Sequence, residues 1–443
     1  MRLNLTLIGL CITIQMQAQT QFAGHSGVYF LGSANVPIST SSFSNPNING
    51  AVVRFRWNDL EPSPGNFNWT FIDGEIAKAV TYNKKVSLQP LGIPNWLGSI
   101  GAQQYYTIQD NPSSPNFGQI STGVIPWDSI YVNRFKIFLQ NLANKYANNP
   151  VVTYVNVIGV NFSRNLPDTV LTDTVALTKQ AFWTAYNYNA DSLGALMNEM
   201  TDYYMGLFPS TPLWCSVDYV TFQPNASGQA RNYLASIYCN YGVTNYPDRF
   251  GLFREDVSGC NPNLSNIATT SHWYLMQQNP CRTGAQMLWS VQDGPSRMNQ
   301  CGILPNTKAV VLDSAVNKGL ALGMRYLEIY GSDITDVSLN STILQANNDL
   351  IAEGLSCQST TGLDENISEN SFSIFPNPAN NYLTIHFEHN HGTQVQILNA
   401  LGILVKEFFM SEPSKIDISY LPKGLYLIHF KTPVQQTTKF IKE

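Results

Sequence analysis

Three acids stand near the ends of apolar runs, where a side chain can reach a ligand: Glu255 and Asp256 in FGLFREDVSG, and Glu328 in MRYLEIYGSDI. A carboxyl group can give or take a proton or attack an electrophilic carbon, and two that face one cleft can divide those tasks. Adjacent residues of an extended chain point to opposite sides, so at most one of Glu255 and Asp256 is expected to face a ligand. Trp57, Trp96 and Trp289 lie at or near the ends of similar runs, and His272-Trp273 follows Ser271 at an expected helix start. An indole plane is a stacking surface and an imidazole can bond a hydroxyl. Arg54, Asn161 and Gln286 complete the candidate set with groups that bind but do not act as acids.

Positioning these residues requires a regular scaffold. Strand-like runs over 27–30, 51–57, 85–90, 151–159, 212–219, 249–254, 284–291 and 324–330 alternate with amphipathic windows. The clearest window covers 128–147, where Tyr131, Phe135, Phe138, Leu139, Leu142 and Tyr146 recur at helical spacing behind an Asp128 N-cap. Strands alternating with helices predict an α/β fold, a (β/α)8 TIM barrel over residues 24–357, with its chemistry at the C-terminal ends of the strands. In the last run Tyr326, Glu328 and Tyr330 share one face and Leu327 and Ile329 the other. Glu328 is therefore expected to point into the barrel, paired with Arg54 or Arg56. It is either a chemical carboxylate or half of a structural ion pair.

Composition narrows the class. Only 12% of the 443 residues are charged, so Asn, Gln, Ser and Thr must build much of the surface. The net charge of −5 and the lack of a basic run argue against nucleic acid as a partner. Arg2, an apolar stretch over 3–14 and Met16-Gln17-Ala18 predict a signal peptide over 1–18. No other stretch is long and apolar enough for a membrane helix, so no integral membrane segment is expected once the signal is removed. Cys11 leaves with that signal, and Cys215, Cys239, Cys260, Cys281, Cys301 and Cys357 are expected to form disulfides, whose pairing the sequence does not choose. No C-x-x-C pair or H-E-x-x-H appears, so no metal or cofactor is expected. Nor does any G-x-S-x-G elbow or P-loop.

The stretch VVRFRWNDLEPSPGNFNWTFIDGEIAKA carries Arg54, Trp57, Glu61-Pro62, Gly65, Phe67, Trp69 and Asp73. With QPLGIPNWL and PWDSIYVNRFKIFLQNLANKYANNPVVTYVNVIG it resembles clan A glycoside hydrolases, notably the β-galactosidase-like and cellulase-like families. The resemblance implies a (β/α)8 barrel acting on a glycan, with catalytic glutamates at the ends of strands four and seven. The sequence departs from that pattern at both. Asn161 is followed by Phe162, Ser163 and Arg164, the first acid afterwards is Asp168, and strand seven offers Gln286. An amide neither donates a proton as an acid nor attacks as a carboxylate, so Glu255, Asp256 and Glu328 become the candidate acids.

Beyond a polar linker over 358–371, residues 372–443 change character. In NYLTIHF, Leu383, Ile385 and Phe387 alternate with Tyr382, Thr384 and His386, and further short runs predict a small all-β sandwich. FPNPANNYLTI, QILNALGILV, IDISYLPKGLYLI and TTKFIKE resemble the C-terminal sorting domain of the Bacteroidetes type IX secretion system. That resemblance implies recognition by the export machinery, then release or attachment to surface lipopolysaccharide. The chain is thus expected to be secreted or attached to the outer surface by way of the periplasm. The leading expectation is a secreted glycoside hydrolase; the alternative is a glycan-binding barrel that no longer cuts.

Overall fold

All eight expected barrel strands form. They are β1 (Gly27–Leu31), β2 (Gly50–Arg56), β3 (Lys85–Leu91), β4 (Val152–Val155), β5 (Leu213–Ser216), β6 (Phe250–Val257), β7 (Thr283–Met287) and β8 (Met324–Tyr330). They close in chain order into a parallel barrel, β8 pairing with β1. The computed structural model describes residues 22, 25–108, 112, 117–156, 169–172, 175–178, 186–217, 230, 232–359, 373–386, 393–399, 403–410, 414–431 and 436–443. Two units, 1–360 and 361–443, are each considered separately.

Alternation along the strands sorts side chains into an outer and an inner set. The outer set packs under the helices, the best defined being Ser129–Tyr146. Asp128 caps it by accepting from the Tyr131 N–H at 3.0 Å, and its buried face is the expected aromatic series. The inner set fills the lumen with an aromatic plug of Phe22, Tyr29, Leu31, Val52, Tyr154, Trp214, Phe253 and Tyr326. Such rings fit only where neighbours are small. A Cβ on Gly50 would lie 2.5 Å from the Tyr29 ring, and one on Gly251 2.3 Å from that of Trp214.

Boundaries differ from expectation in two informative places. β6 runs on to Val257, so Glu255 and Asp256 belong to the strand rather than to the loop after it. β2 stops at Arg56, and Trp57 opens a short helix, Trp57–Leu60. The last helix, Asn340–Ser359, reaches into the segment read as linker. A four-stranded antiparallel sheet of Ile120–Val124, Gln104–Ile108, Thr169–Thr172 and Val175–Thr178 grows from the connections after β3 and β4. It therefore belongs to the end of the barrel where strands finish. Disulfides join Cys260 to Cys301 and Cys281 to Cys357. Cys215 and Cys239 stand outside these two bonds as buried thiols, which corrects the expectation that all six would pair.

The second unit is a β-sandwich. β9 (Ser373–Phe375), β10 (Tyr382–His386) and β13 (Ser414–Asp417) form one sheet. β11 (Thr393–Asn399), β12 (Leu404–Met410), β14 (Gly424–Lys431) and β15 (Gln436–Lys442) form the other. Leu383, Ile385, Val395, Ile397, Ile428 and Phe440 are fully buried between them, while Tyr382 is exposed. Phe387 lies outside the described residues.

Candidate active site

Two positions beyond the aromatic plug, towards the C-terminal ends, the lumen face turns polar: Arg54 on β2, Gln89 on β3, Asn156 just past β4, Ser216 on β5, Glu255 on β6, Gln286 on β7 and Glu328 on β8. Gln89, Asn156 and Glu328 are fully buried, and Ser216, Glu255 and Gln286 nearly so. Arg54 and Tyr330 are half-buried, and there the layer reaches the surface.

Burial of this kind is costly unless each group finds a partner. Glu328 accepts from the Tyr326 hydroxyl at 2.8 Å. It sits close enough to Arg54 to raise the affinity of that guanidinium for its proton, against the larger lowering effect of burial. The Tyr326 phenol is pushed well above its ordinary range, chiefly by burial and then by Glu328, so it remains a donor. Arg56, the other proposed partner, instead turns to Asp59 at 3.8 Å on the surface. Gln286 donates to the Tyr330 hydroxyl at 3.2 Å, yet its Oε1 finds no partner among the described residues. Neither do both amide atoms of Gln89 and of Asn156, nor Nε of Arg54. The layer thus offers buried donors and acceptors side by side, together with two carboxyls, and this suits a ligand dense in hydroxyl groups.

Residues 40–161 match the family model described as β-galactosidase, and residues 373–443 match that of the secretion system C-terminal sorting domain. The chain is a glycosidase-like barrel joined to a secretion sorting domain. That domain marks it for secretion or attachment at the cell surface, and no helix among the described residues is long and apolar enough to cross a membrane. Among solved structures, it is similar to the catalytic domain of a β-amylase from Paenibacillus polymyxa, at 10% identity and TM-score 0.43, over 73% of this chain and 98% of that one. It is also similar to xylanase 10B from Thermotoga petrophila RKU-1, at 10% identity and TM-score 0.39, over 69% and 82% of the two chains. A third is an intracellular xylanase from Thermoanaerobacterium saccharolyticum, at 12% identity and TM-score 0.36, over 70% and 87%.

Within the glycosidase-like barrel the candidate residues separate. Glu255, Gln286 and Glu328 come together on consecutive strands, with Gln286 directly beside Glu328 in the register. Asp256 turns the other way, and Arg254 grips it through two bonds at 2.8 and 2.5 Å. Trp273 is buried beneath that arginine, whose guanidinium lies 4.7 Å from the ring centre. Neither residue faces the lumen. His272 is half-buried at the start of its helix. Trp289, just past β7, keeps 39% of its surface exposed. Asn161 and Asp168 lie outside the described residues.

Trp57 is a clear correction. It shares the outward parity of Val53 and Phe55 and is buried against Tyr131, Phe135 and Phe138 of the outer helix, so it cannot meet a ligand in the lumen. Trp96 closes edge-on over it at 6.2 Å, with Arg134 5.1 Å from the Trp96 ring centre. Both indoles are tied to Glu61. Trp57 Nε1 donates to its carboxylate, and Trp96 Nε1 to its carbonyl, each at 2.7 Å. The Glu61 carboxylate, fully buried, also accepts from the Gly65 N–H at 2.7 Å and pairs with Arg134. Breaking a buried pair from one side leaves the other charge uncompensated, at a cost of ~3 kcal/mol or more. Glu61→Gln is therefore expected to lower the melting temperature of the mature protein in calorimetry while leaving its glycan affinity unaltered; unchanged melting would contradict this structural role.

Sequence reasoning missed Gln89 and Asn156. The signal was present: Ser87 and Gln89 are polar positions alternating with Val86 and Leu88 in a strand buried on both faces. A polar residue there has only the lumen to face.

Proposed function

We propose that the barrel takes a glycan at the C-terminal end of its strands and hydrolyses a glycosidic bond, with Glu255 and Glu328 as the two carboxyl groups. The observation that carries this reading is the polar layer itself, in which two buried carboxyls flank Gln286 across three neighbouring strands. Glycoside hydrolysis needs one carboxyl to protonate the leaving oxygen and a second to act as nucleophile or base. Glu328 suits the ionised role, because the Tyr326 hydroxyl and the Arg54 cation both stabilise its negative form. Glu255, near-buried on β6, then supplies the proton. The amides of Gln89, Asn156 and Gln286 orient sugar hydroxyls against this pair. The family match over residues 40–161 supports the same substrate class.

One observation favours a second reading. Gln286, on the strand where the resemblance calls for an acid, is an amide already engaged with Tyr330, as in a site that holds glycan without cutting it. A screen of the purified mature protein on plant and algal polysaccharides, following both reducing-end release and retention on the polymer, separates the two. Release of reducing ends is the expected result. Retention without release would leave only the binding reading, and neither would exclude both.

A further inference from the structure

Resting on the glycan reading, we infer that the rim above β7 selects acidic glycans, with Trp289 as the platform for one sugar ring and Arg297 as the cation that meets its carboxylate or sulfate. Trp289 lies just past the end of β7, hence at the mouth. Among the described aromatic side chains of the barrel unit, it and Phe117 are the ones left exposed. The Arg297 guanidinium lies 3.9 Å from the centre of its ring, close enough for a cation–π stack that fixes the direction of the fork. Among the described residues no carboxylate pairs with Arg297, whereas Arg56, Arg134 and Arg254 each hold one. An exposed guanidinium set beside an indole, with its donors uncommitted to protein acids, suits a planar, bidentate anion carried on a ring.

The platform is also held in place, which a casual surface contact would not require. The backbone N–H of Trp289 donates to Met298 Sδ at 3.2 Å. The next turn is anchored to Asp333, whose carboxylate accepts from the Ser290 hydroxyl at 2.6 Å and from the N–H groups of Val291 and Gln292 at 3.0 and 2.9 Å. The Cys260–Cys301 disulfide fastens the same loop to the one that follows β6. The backbone that carries indole and guanidinium is thus fixed past the end of β7, the strand that lies between those of Glu255 and Glu328. A sugar seated on Trp289 would place its acidic group at Arg297 while the next unit reaches the polar layer.

The test is affinity electrophoresis and fluorescence titration of the mature protein with three probes. They are oligosaccharides of a uronic acid, of a sulfated galactan, and of neutral xylan. At moderate salt the acidic probes are expected to bind at least about tenfold more tightly than the neutral one and to quench indole emission. Arg297→Gln should lose about that factor for the acidic probe, and Arg297→Lys should recover part of it. Trp289→Ala should remove the quenching. The uronate and sulfate arms tell which anion is taken. Preference for the neutral probe, or acidic affinity unchanged in Arg297→Gln, would overturn the inference and leave the glycan reading standing. Failure of all three probes to bind would overturn both.

Discussion

Glu328→Gln is expected to cut glycan turnover by about a thousandfold while the barrel stays folded. The substitution is nearly isosteric, so the packing around a fully buried side chain is kept and only the charge is lost. Tyr326 can still donate to the amide oxygen, and half-buried Arg54 retains its bond to the Gly32 carbonyl at 3.3 Å. What disappears is the negative charge that the proposed mechanism needs beside the reacting carbon. A purely structural carboxylate would behave in the opposite way: the melting temperature would fall, because Arg54 loses its countercharge, and turnover per folded molecule would persist. Measuring turnover and melting on the same preparation distinguishes these outcomes. Full activity with full stability would contradict both roles.

Removal of residues 371–443 is expected to abolish export and leave a folded barrel in the periplasm. The physical ground is that the two hydrophobic cores are built from separate residues. The sandwich core draws on Leu383, Ile385, Val395, Ile397, Ile428 and Phe440, and the barrel core on residues before the last helix ends. A unit with its own core can fold when its neighbour is absent. Cell fractionation with a barrel-specific antibody, together with protease resistance of the retained protein, is the measurement. Normal secretion of the truncated chain would contradict the role of the sorting domain, and an unfolded product would contradict the independence of the cores.

The sequence disclosed the barrel well because the barrel is written in short-range patterns. β-strand runs, amphipathic windows and the Asp128 cap are all local, and all eight strands lie where those patterns put them. The site was less legible. Parity along β8 does put Glu328 in the lumen, whereas a register shift between Arg254 and Val257 interrupts the alternation along β6, and the grip of Arg254 is what separates Asp256 from Glu255. The same rule applied to β2 would have turned Trp57 outward with Val53 and Phe55. Its place near a strand end suggested a mouth position that the alternation denies. Other features depend on contacts distant in sequence. Glu61 meets Arg134, 73 residues away, and the buried amides of Gln89 and Asn156, without a partner among the described residues, come together only when eight strands close around them. The disulfide pattern is of this kind too, since pairing depends on which loops the barrel brings together.

The central claim is that the polar layer of Arg54, Gln89, Asn156, Glu255, Gln286 and Glu328 holds the glycan. It is tested most directly by a crystal structure of the Glu328→Gln protein soaked with an oligosaccharide that the wild type retains or cuts. The account predicts a sugar ring in the lumen mouth, its hydroxyls within hydrogen-bond distance of the Gln89, Asn156 and Gln286 amides and its glycosidic oxygen facing Glu255. Sugar bound only elsewhere on the barrel, with those amides untouched, would contradict it.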